Sequence, residues 1–188
     1  MPRLEPLDPP YSPEIAERLE AMMPGDLDPW LLFRTFVHNL PMASAMGPWG
    51  GYELSRRLSL SMRDREIIID RCCARCGCEY EWGVHVAFFA ERVELSVDQV
   101  RSLTHGSALD PCWNEHRDRL LIQAVDSLHD HARRHESLFV ELAEEFTAPE
   151  LLDLTMLTGW YHAISFTANA FEIDREAGAP TFDDFKGP

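Results

Sequence analysis

The chain has 188 residues, enough for one domain of ordinary size. It carries 17 basic and 32 acidic side chains and has a formal net charge of −15, which argues against binding to nucleic acid or to anionic membrane surfaces, since both need clustered Lys and Arg. Its composition is 45% apolar and 26% charged, which is typical of a globular protein, and we expect no membrane-spanning segment. Four of the five cysteines crowd between Cys72 and Cys78, unlike a secreted disulfide framework, so we expect a reducing, cytoplasmic location.

Residues 1–42 are predicted to form an N-terminal arm with short helices. The first residues are rich in proline and show no apolar stretch typical of a secretory signal. Ser12 followed by proline is typical of a helix start, and Asp28 followed by proline predicts a second one. The stretch from Pro41 to Gly51 contains several helix breakers and is compatible with a loop or with an irregular helix start.

From Glu53 onward the pattern is helical almost everywhere, and no segment alternates at the period of a strand. Two helix starts match the capping box, Ser96 with Gln99 and Thr147 with Glu150. Apolar side chains recur at helical spacing in three later segments, 120–128, 138–146 and 151–171. We therefore predict an all-α single domain with eight or nine helices.

The segment from Arg63 to Arg92 carries the residues with chemical potential. We predict two helices there, divided at Gly77, because glycine suits the left-handed end of a helix. On the second helix Cys78, Glu81 and His85 follow each other at i, i+3 and i+7 and therefore share one face. A thiol at the start of a helix lies at the positive end of the helix dipole, so we expect a lowered pKa for Cys78.

Glu66 lies on the preceding helix, and an antiparallel helix pair would bring it back towards His85. Together with Cys78, Glu81 and His85 it forms a pattern that resembles the carboxymuconolactone decarboxylase and alkylhydroperoxidase D superfamily. The resemblance covers residues 43–176, the predicted helical domain, and leaves residues 177–188 as a C-terminal tail. It implies an all-α, alkylhydroperoxidase D-like fold and a homo-oligomer, a trimer or a hexamer, with the active site near subunit contacts.

The resemblance also implies roles for the four residues. In the peroxidase branch the signature is Cys-x-x-Cys-x-x-x-His with an upstream Glu that completes a proton relay. Glu66 matches the relay Glu, Cys78 the first Cys and His85 the His. Glu81 stands where the second Cys, the one that attacks peroxide, belongs. This departure favours the decarboxylase branch, in which catalysis needs proton transfer rather than thiol redox chemistry.

We therefore expect an enzyme, a decarboxylase-like carbon–carbon lyase, that acts by acid–base chemistry on a small carboxylated or lactone substrate and uses no cofactor and no metal. Glu81 and His85 would exchange protons, Glu66 would orient or relay, and Cys78 would line the site. Two alternatives stay open at this point. One is thiol redox activity of the alkylhydroperoxidase or peroxiredoxin type through Cys78, and the other is a non-catalytic, oligomeric binding module.

Other reactive side chains have less specific interpretations. The arginines between Arg56 and Arg75 either anchor an anionic substrate or pair with the surplus acids. A zinc site would need a second ligand pair at finger-like spacing. We interpret the remaining cysteines of the segment as small buried hydrophobes, namely Cys72, Cys73 and Cys76. Three histidines are interpreted as a solvated face, namely His129, His131 and His135. His162 is either a core histidine or a pocket residue.

Overall fold

The computed structural model describes residues 2–23 and 27–187. These residues form nine α-helices and three short 3₁₀ turns without any β-strand, which confirms the all-α prediction. The helices are α1 (Pro13–Met22), α2 (Leu31–Phe36), α3 (Leu40–Glu53), α4 (Met62–Arg75), α5 (Glu79–Phe89), α6 (Val97–His105), α7 (His116–His131), α8 (Glu136–Glu145) and α9 (Ala148–Ala170). In this part of the chain no helix has the length and apolar character needed to cross a bilayer.

Helix α2 begins at Leu31, later than the helix start predicted at Asp28. The free N–H groups of its first turn are satisfied by residues distant in sequence. Leu31 N donates to the Glu176 carboxylate at 2.6 Å, and Leu32 N donates to the Tyr80 hydroxyl at 3.1 Å. Capping by tertiary partners therefore replaces the local cap that the sequence pattern indicated.

The breaker-rich stretch from Pro41 to Gly51 lies entirely within helix α3. The Asn39 side chain accepts a hydrogen bond from Met42 N at 3.2 Å and caps the helix. Pro41 occupies the first turn, where its missing N–H would have no intrahelical partner in any case. The loop alternative is therefore wrong for this segment.

Helix α4 forms the centre of the core. A capping box between Ser61 and Asp64 begins it, and Ile67, Ile68 and Ile69 are completely buried. A stretch that is apolar on consecutive positions must be covered on all sides, and α4 packs against α5, α6, α7 and α9. These four helices therefore hold fixed positions around the side chains of α4.

The turn between α4 and α5 reverses the chain as predicted. Gly77 adopts a φ of +63°, in the left-handed region that favours glycine, and Cys78 is the N-cap of α5. The reversal packs α5 against α4.

Replacing Gly77 with alanine tests this turn. A Cβ at Gly77 would meet nothing within 4 Å, so the cost is the left-handed backbone alone, and we expect Gly77→Ala to lower the free energy of unfolding by roughly 1–2 kcal/mol. Gly51→Ala is the matched control, because it also has open space but lies in a helix, and it should stabilise the protein slightly. Equal denaturation midpoints for the two variants would contradict the left-handed backbone conformation of Gly77.

Candidate active site

A buried histidine lies between two carboxylates at the contact of α4 and α5. His85 Nδ1 is 2.7 Å from Glu66 Oε2, and His85 Nε2 is 3.5 Å from Glu81 Oε1. The Tyr161 hydroxyl, from α9, lies 3.0 Å from the same Nε2. The antiparallel approach of Glu66 and His85 expected from the sequence is therefore present.

Arg65 holds the Glu66 carboxylate from its other side. Arg65 Nε donates to Glu66 Oε1 at 2.7 Å, and its Nη1 donates to the Leu54 carbonyl at 3.1 Å. Both side chains are buried, and the guanidinium also lies 5.2 Å from the centre of the Phe89 ring. With one oxygen on Arg65 and the other on His85, Glu66 is fully engaged and serves to position the imidazole.

The carboxylates decide the charge of His85. Burial lowers the pKa of the imidazole, but the charge and hydrogen bond of Glu66, followed by those of Glu81, raise it to about 10. His85 is therefore an imidazolium at neutral pH. Asp70 is buried nearby, and its burial, together with the charge of Glu66, raises its pKa well above the ordinary range and so favours its neutral form.

A cavity of about 520 Å³ opens onto this cluster. Glu81, His85 and Tyr161 line one part of its wall, and Arg18 and Arg92 contribute the other charged groups. The remaining wall is apolar, and its aromatic side chains are Trp30, Phe33, Phe36, Phe88, Phe89 and Trp160. An apolar cavity with a few convergent polar groups is the usual form of a small-molecule site.

Cys78 does not share the cavity with the other predicted site residues. Its side chain is completely buried, does not line the cavity, and lies near Cys73 and Ser165 in the core. Burial raises the pKa of the thiol to about 11 and outweighs the backbone amide of Glu81, which lowers it. The predicted lowering of the pKa of Cys78 is therefore wrong, because the sequence showed the helix start but not its burial.

Four arginines of the group between Arg56 and Arg75, those on helix α4, form ion pairs with acidic side chains. Arg63 contacts Asp118, Arg71 binds Asp126 through two nitrogens, and the remaining two side chains of this group also form ion pairs, Arg65 with Glu66 and Arg75 with Asp130. The pairing alternative is correct for these four residues. The arginines at the cavity are instead Arg18 on α1 and Arg92 after α5, and neither was singled out from the sequence.

Tyr161 and Arg18 are the functional candidates that the sequence pattern concealed. Tyr161 stands in the apolar stripe of α9, where an aromatic residue signals packing rather than chemistry. Arg18 lies in the N-terminal region, outside the resemblance. A Cβ at Gly47 would lie 2.3 Å from Arg18 Nη2. The guanidinium therefore packs against α3 at a position where a side chain would displace it.

The remaining cysteines and histidines do not all follow the sequence interpretation. Cys73 is completely buried, as expected. Cys72 and Cys76 instead form a separate cluster with His162 and His129, in which Cys72 Sγ is 3.1 Å from His162 Nδ1. Cys72 is completely buried, as predicted, but Cys76 is only partly buried, and both thiols lie beside histidines. His129 is half-buried in this cluster and does not belong to a solvated face, whereas His131 and His135 are exposed as expected.

Comparison with known proteins identifies the fold. No family model matches the chain, and no curated protein matches it by sequence. A crystal structure described as that of an uncharacterized peroxidase-related protein from Silicibacter sp. TM1040 is similar, with a TM-score of 0.75 and 19% identity over 95% of this chain and 96% of that chain. The chain thus shares its fold with that protein.

The charge of His85 can be tested by NMR. We expect the His85 ring to stay doubly protonated at pH 8, because its pKa is about 10 against an ordinary 6.5, and Glu66→Gln to lower that pKa. Since the pKa is raised on folding, its contribution to stability is fully present below pH 6.5 and disappears as the pH rises through about 10. Long-range ¹H–¹⁵N spectra report the ring state directly.

The assignment of the resonance comes from its loss in His85→Gln. Removing the Glu66 charge leaves Arg65 without a counter-ion and His85 with Glu81 alone, so Glu66→Gln should also cost roughly 3–5 kcal/mol of unfolding free energy at neutral pH. A neutral His85 ring at pH 8 in the wild-type protein would contradict the account of this site.

Proposed function

We propose that the cavity catalyses proton transfer at carbon on a small, mostly apolar carbonyl or lactone substrate, with Glu81 as the base. The observation that carries this proposal is that Glu81, and no thiol, faces the cavity beside a charged imidazole and a tyrosine hydroxyl. General acid–base catalysis by a positioned carboxylate contributes about 10²–10⁴-fold to a rate. The chain is then a decarboxylase-like or related acid–base enzyme.

The reaction divides between Glu81 and its neighbours. Glu81 removes a proton from the carbon next to a carbonyl group, the C–H electron pair becomes that of the enolate, and the negative charge goes to the carbonyl oxygen. The Tyr161 hydroxyl donates a hydrogen bond to that oxygen, and the His85 imidazolium, whose Nε2–H donates to the Tyr161 oxygen, strengthens it as a donor. Protonated Glu81 then returns the proton to carbon. In a substrate with a carboxylate on that carbon, loss of CO₂ gives the same enolate, which takes up a solvent proton through Glu81.

Arg18 supplies the anchor for an anionic substrate in this proposal. Its side chain lines the cavity, and its Nε is buried without a hydrogen-bond partner in the described part of the chain. A guanidinium at the cavity wall favours a carboxylate because it offers two parallel N–H donors.

The choice between carboxylate and thiol chemistry is tested by two variants. Small β-keto acids and carboxylated γ-lactones are incubated with the protein in D₂O, and ¹H NMR follows deuterium uptake and loss of CO₂. We expect Glu81→Gln to lower the rate at least about 100-fold and Cys78→Ser to retain it. Glu91→Gln, a change of the same kind at an exposed site after α5, is the control. Equal rates for the wild type and Glu81→Gln would contradict the proposal.

The role of Arg18 is tested at the same cavity. We expect Arg18→Gln to raise KM for the carboxylated substrate about tenfold or more with a smaller change in kcat. Gly47→Ala should raise KM as well, because its Cβ displaces the guanidinium. Gly159→Ala also adds a helical Cβ but meets nothing within 4 Å, and it should leave KM unchanged. An unchanged KM in Arg18→Gln would rule out the anchor.

The second candidate is a thiol peroxidase that uses Cys78, and the peroxidase-related neighbour favours it. It requires Cys78 to leave its buried position between α4 and α9 and reach the cavity. For either candidate function, we propose that the chain assembles into a trimer or a hexamer.

A further inference from the structure

A second cluster of reactive side chains lies outside the cavity, at the C-terminal end of α4. Cys72 and Cys76 stand one turn apart near the end of α4, and α9 brings His162 against them. Cys72 Sγ, Cys76 Sγ and a ring nitrogen of His162 all lie within 4.8 Å of one another. His129, from α7, adds a second imidazole, with Nδ1 at 3.0 Å from His162 Nε2 and 3.9 Å from Cys76 Sγ.

Two thiols and an imidazole are the donor set that zinc prefers. Tetrahedral zinc, with bonds of about 2.3 Å to sulfur and 2.0 Å to nitrogen, keeps its ligand atoms about 3.5 Å apart. The three ligand atoms lie within 4.8 Å of one another, and Cys72 Sγ is 3.1 Å from His162 Nδ1, so side-chain rotations would bring them to bonding distance around one ion. Carboxylates take no part in the cluster, which disfavours the hard cations Mg²⁺ and Ca²⁺.

We propose that Cys72, Cys76 and His162 bind a zinc ion, with His129 as the neighbour that orients His162. The site has no part in the cavity, since none of these four residues lines it. Water would occupy the fourth position of the metal, because Cys76 and His162 are only partly buried while Cys72 is fully buried. The same partial exposure gives the ion a path of entry.

The His162 ring would exchange one hydrogen bond for the metal. Its Nδ1 donates to the Thr158 carbonyl at 2.8 Å and lies 3.1 Å from Cys72 Sγ, so zinc would replace a proton on a nitrogen that is already beside the sulfur. When zinc takes Nδ1, the proton of the neutral ring lies on Nε2, which donates to His129 Nδ1 at 3.0 Å. A ligand histidine whose second nitrogen is held by another group is the usual arrangement at metal sites.

Zinc binds cysteine as the thiolate, so metal binding would release the thiol protons of Cys72 and Cys76. The bound ion would clamp the end of α4 to α9, next to the turn from which α5 begins.

Zinc binding is measured on the full chain, reduced and stripped of metal with a chelator. Titration with Zn²⁺ in competition with a chromogenic chelator gives stoichiometry and affinity, and Co²⁺ reports ligand type through its thiolate charge-transfer and tetrahedral absorption bands. We expect one Zn²⁺ per chain, a higher Tm with zinc, and affinity lowered at least about 100-fold in Cys76→Ser and His162→Gln.

Two variants that make the same types of substitution outside the cluster serve as controls. Cys112→Ser changes a partly exposed cysteine on another loop, and His131→Gln changes an exposed histidine at the end of α7; both should keep wild-type affinity. Circular dichroism confirms that each variant is folded, and Cys76→Ser, at the partly exposed end of α4, serves if His162→Gln unfolds. No zinc binding by the wild type, or binding that His131→Gln removes and Cys76→Ser retains, would overturn the proposal.

Discussion

The buried contact between Glu66 and His85 constrains the rest of the structure. A carboxylate with no exposed surface is costly unless cations surround it, and the chain supplies two, Arg65 on one oxygen and His85 on the other. The imidazolium in turn needs a second anion, and Glu81 provides it one turn earlier on α5. The chain reversal at Gly77 is required because α5 must run back along α4 for this charge network to close.

Helix α9 contributes one side chain to each of two clusters from neighbouring positions. Successive side chains on a helix point about 100° apart, so Tyr161 reaches the cavity and His85 while His162 reaches the thiols of α4. Helix α4 divides its own faces in the same way, with Glu66 towards the cavity side and Cys72 towards His162. The two clusters therefore involve different side chains but share the same pair of helices.

Local sequence patterns predicted the helices, but they did not predict the side-chain environments that depend on tertiary contacts. The capping boxes, the apolar stripes and the turn at Gly77 are encoded within a few residues and appear as expected. The i, i+4 pair of Glu81 and His85 could likewise be read from spacing. The burial of Cys78 could not, because it depends on α9, and neither could the contact of Cys72 with a histidine 90 positions away. A search for pairs of metal ligands at the short spacing of zinc fingers misses this cluster, because its histidine is distant in sequence from its cysteines.

The central claim is that a carboxylate, and not the Cys78 thiol, is the reactive group of the cavity. The most direct test treats the fully reduced protein with a small alkyl hydroperoxide and maps each cysteine by peptide mass spectrometry, with peroxide consumption followed in parallel. The account predicts that Cys78 stays reduced while the protein is folded, whatever happens at the partly exposed Cys76 and Cys112. Rapid oxidation of Cys78, with peroxide turnover when a dithiol is added, would contradict it and establish the peroxidase reading.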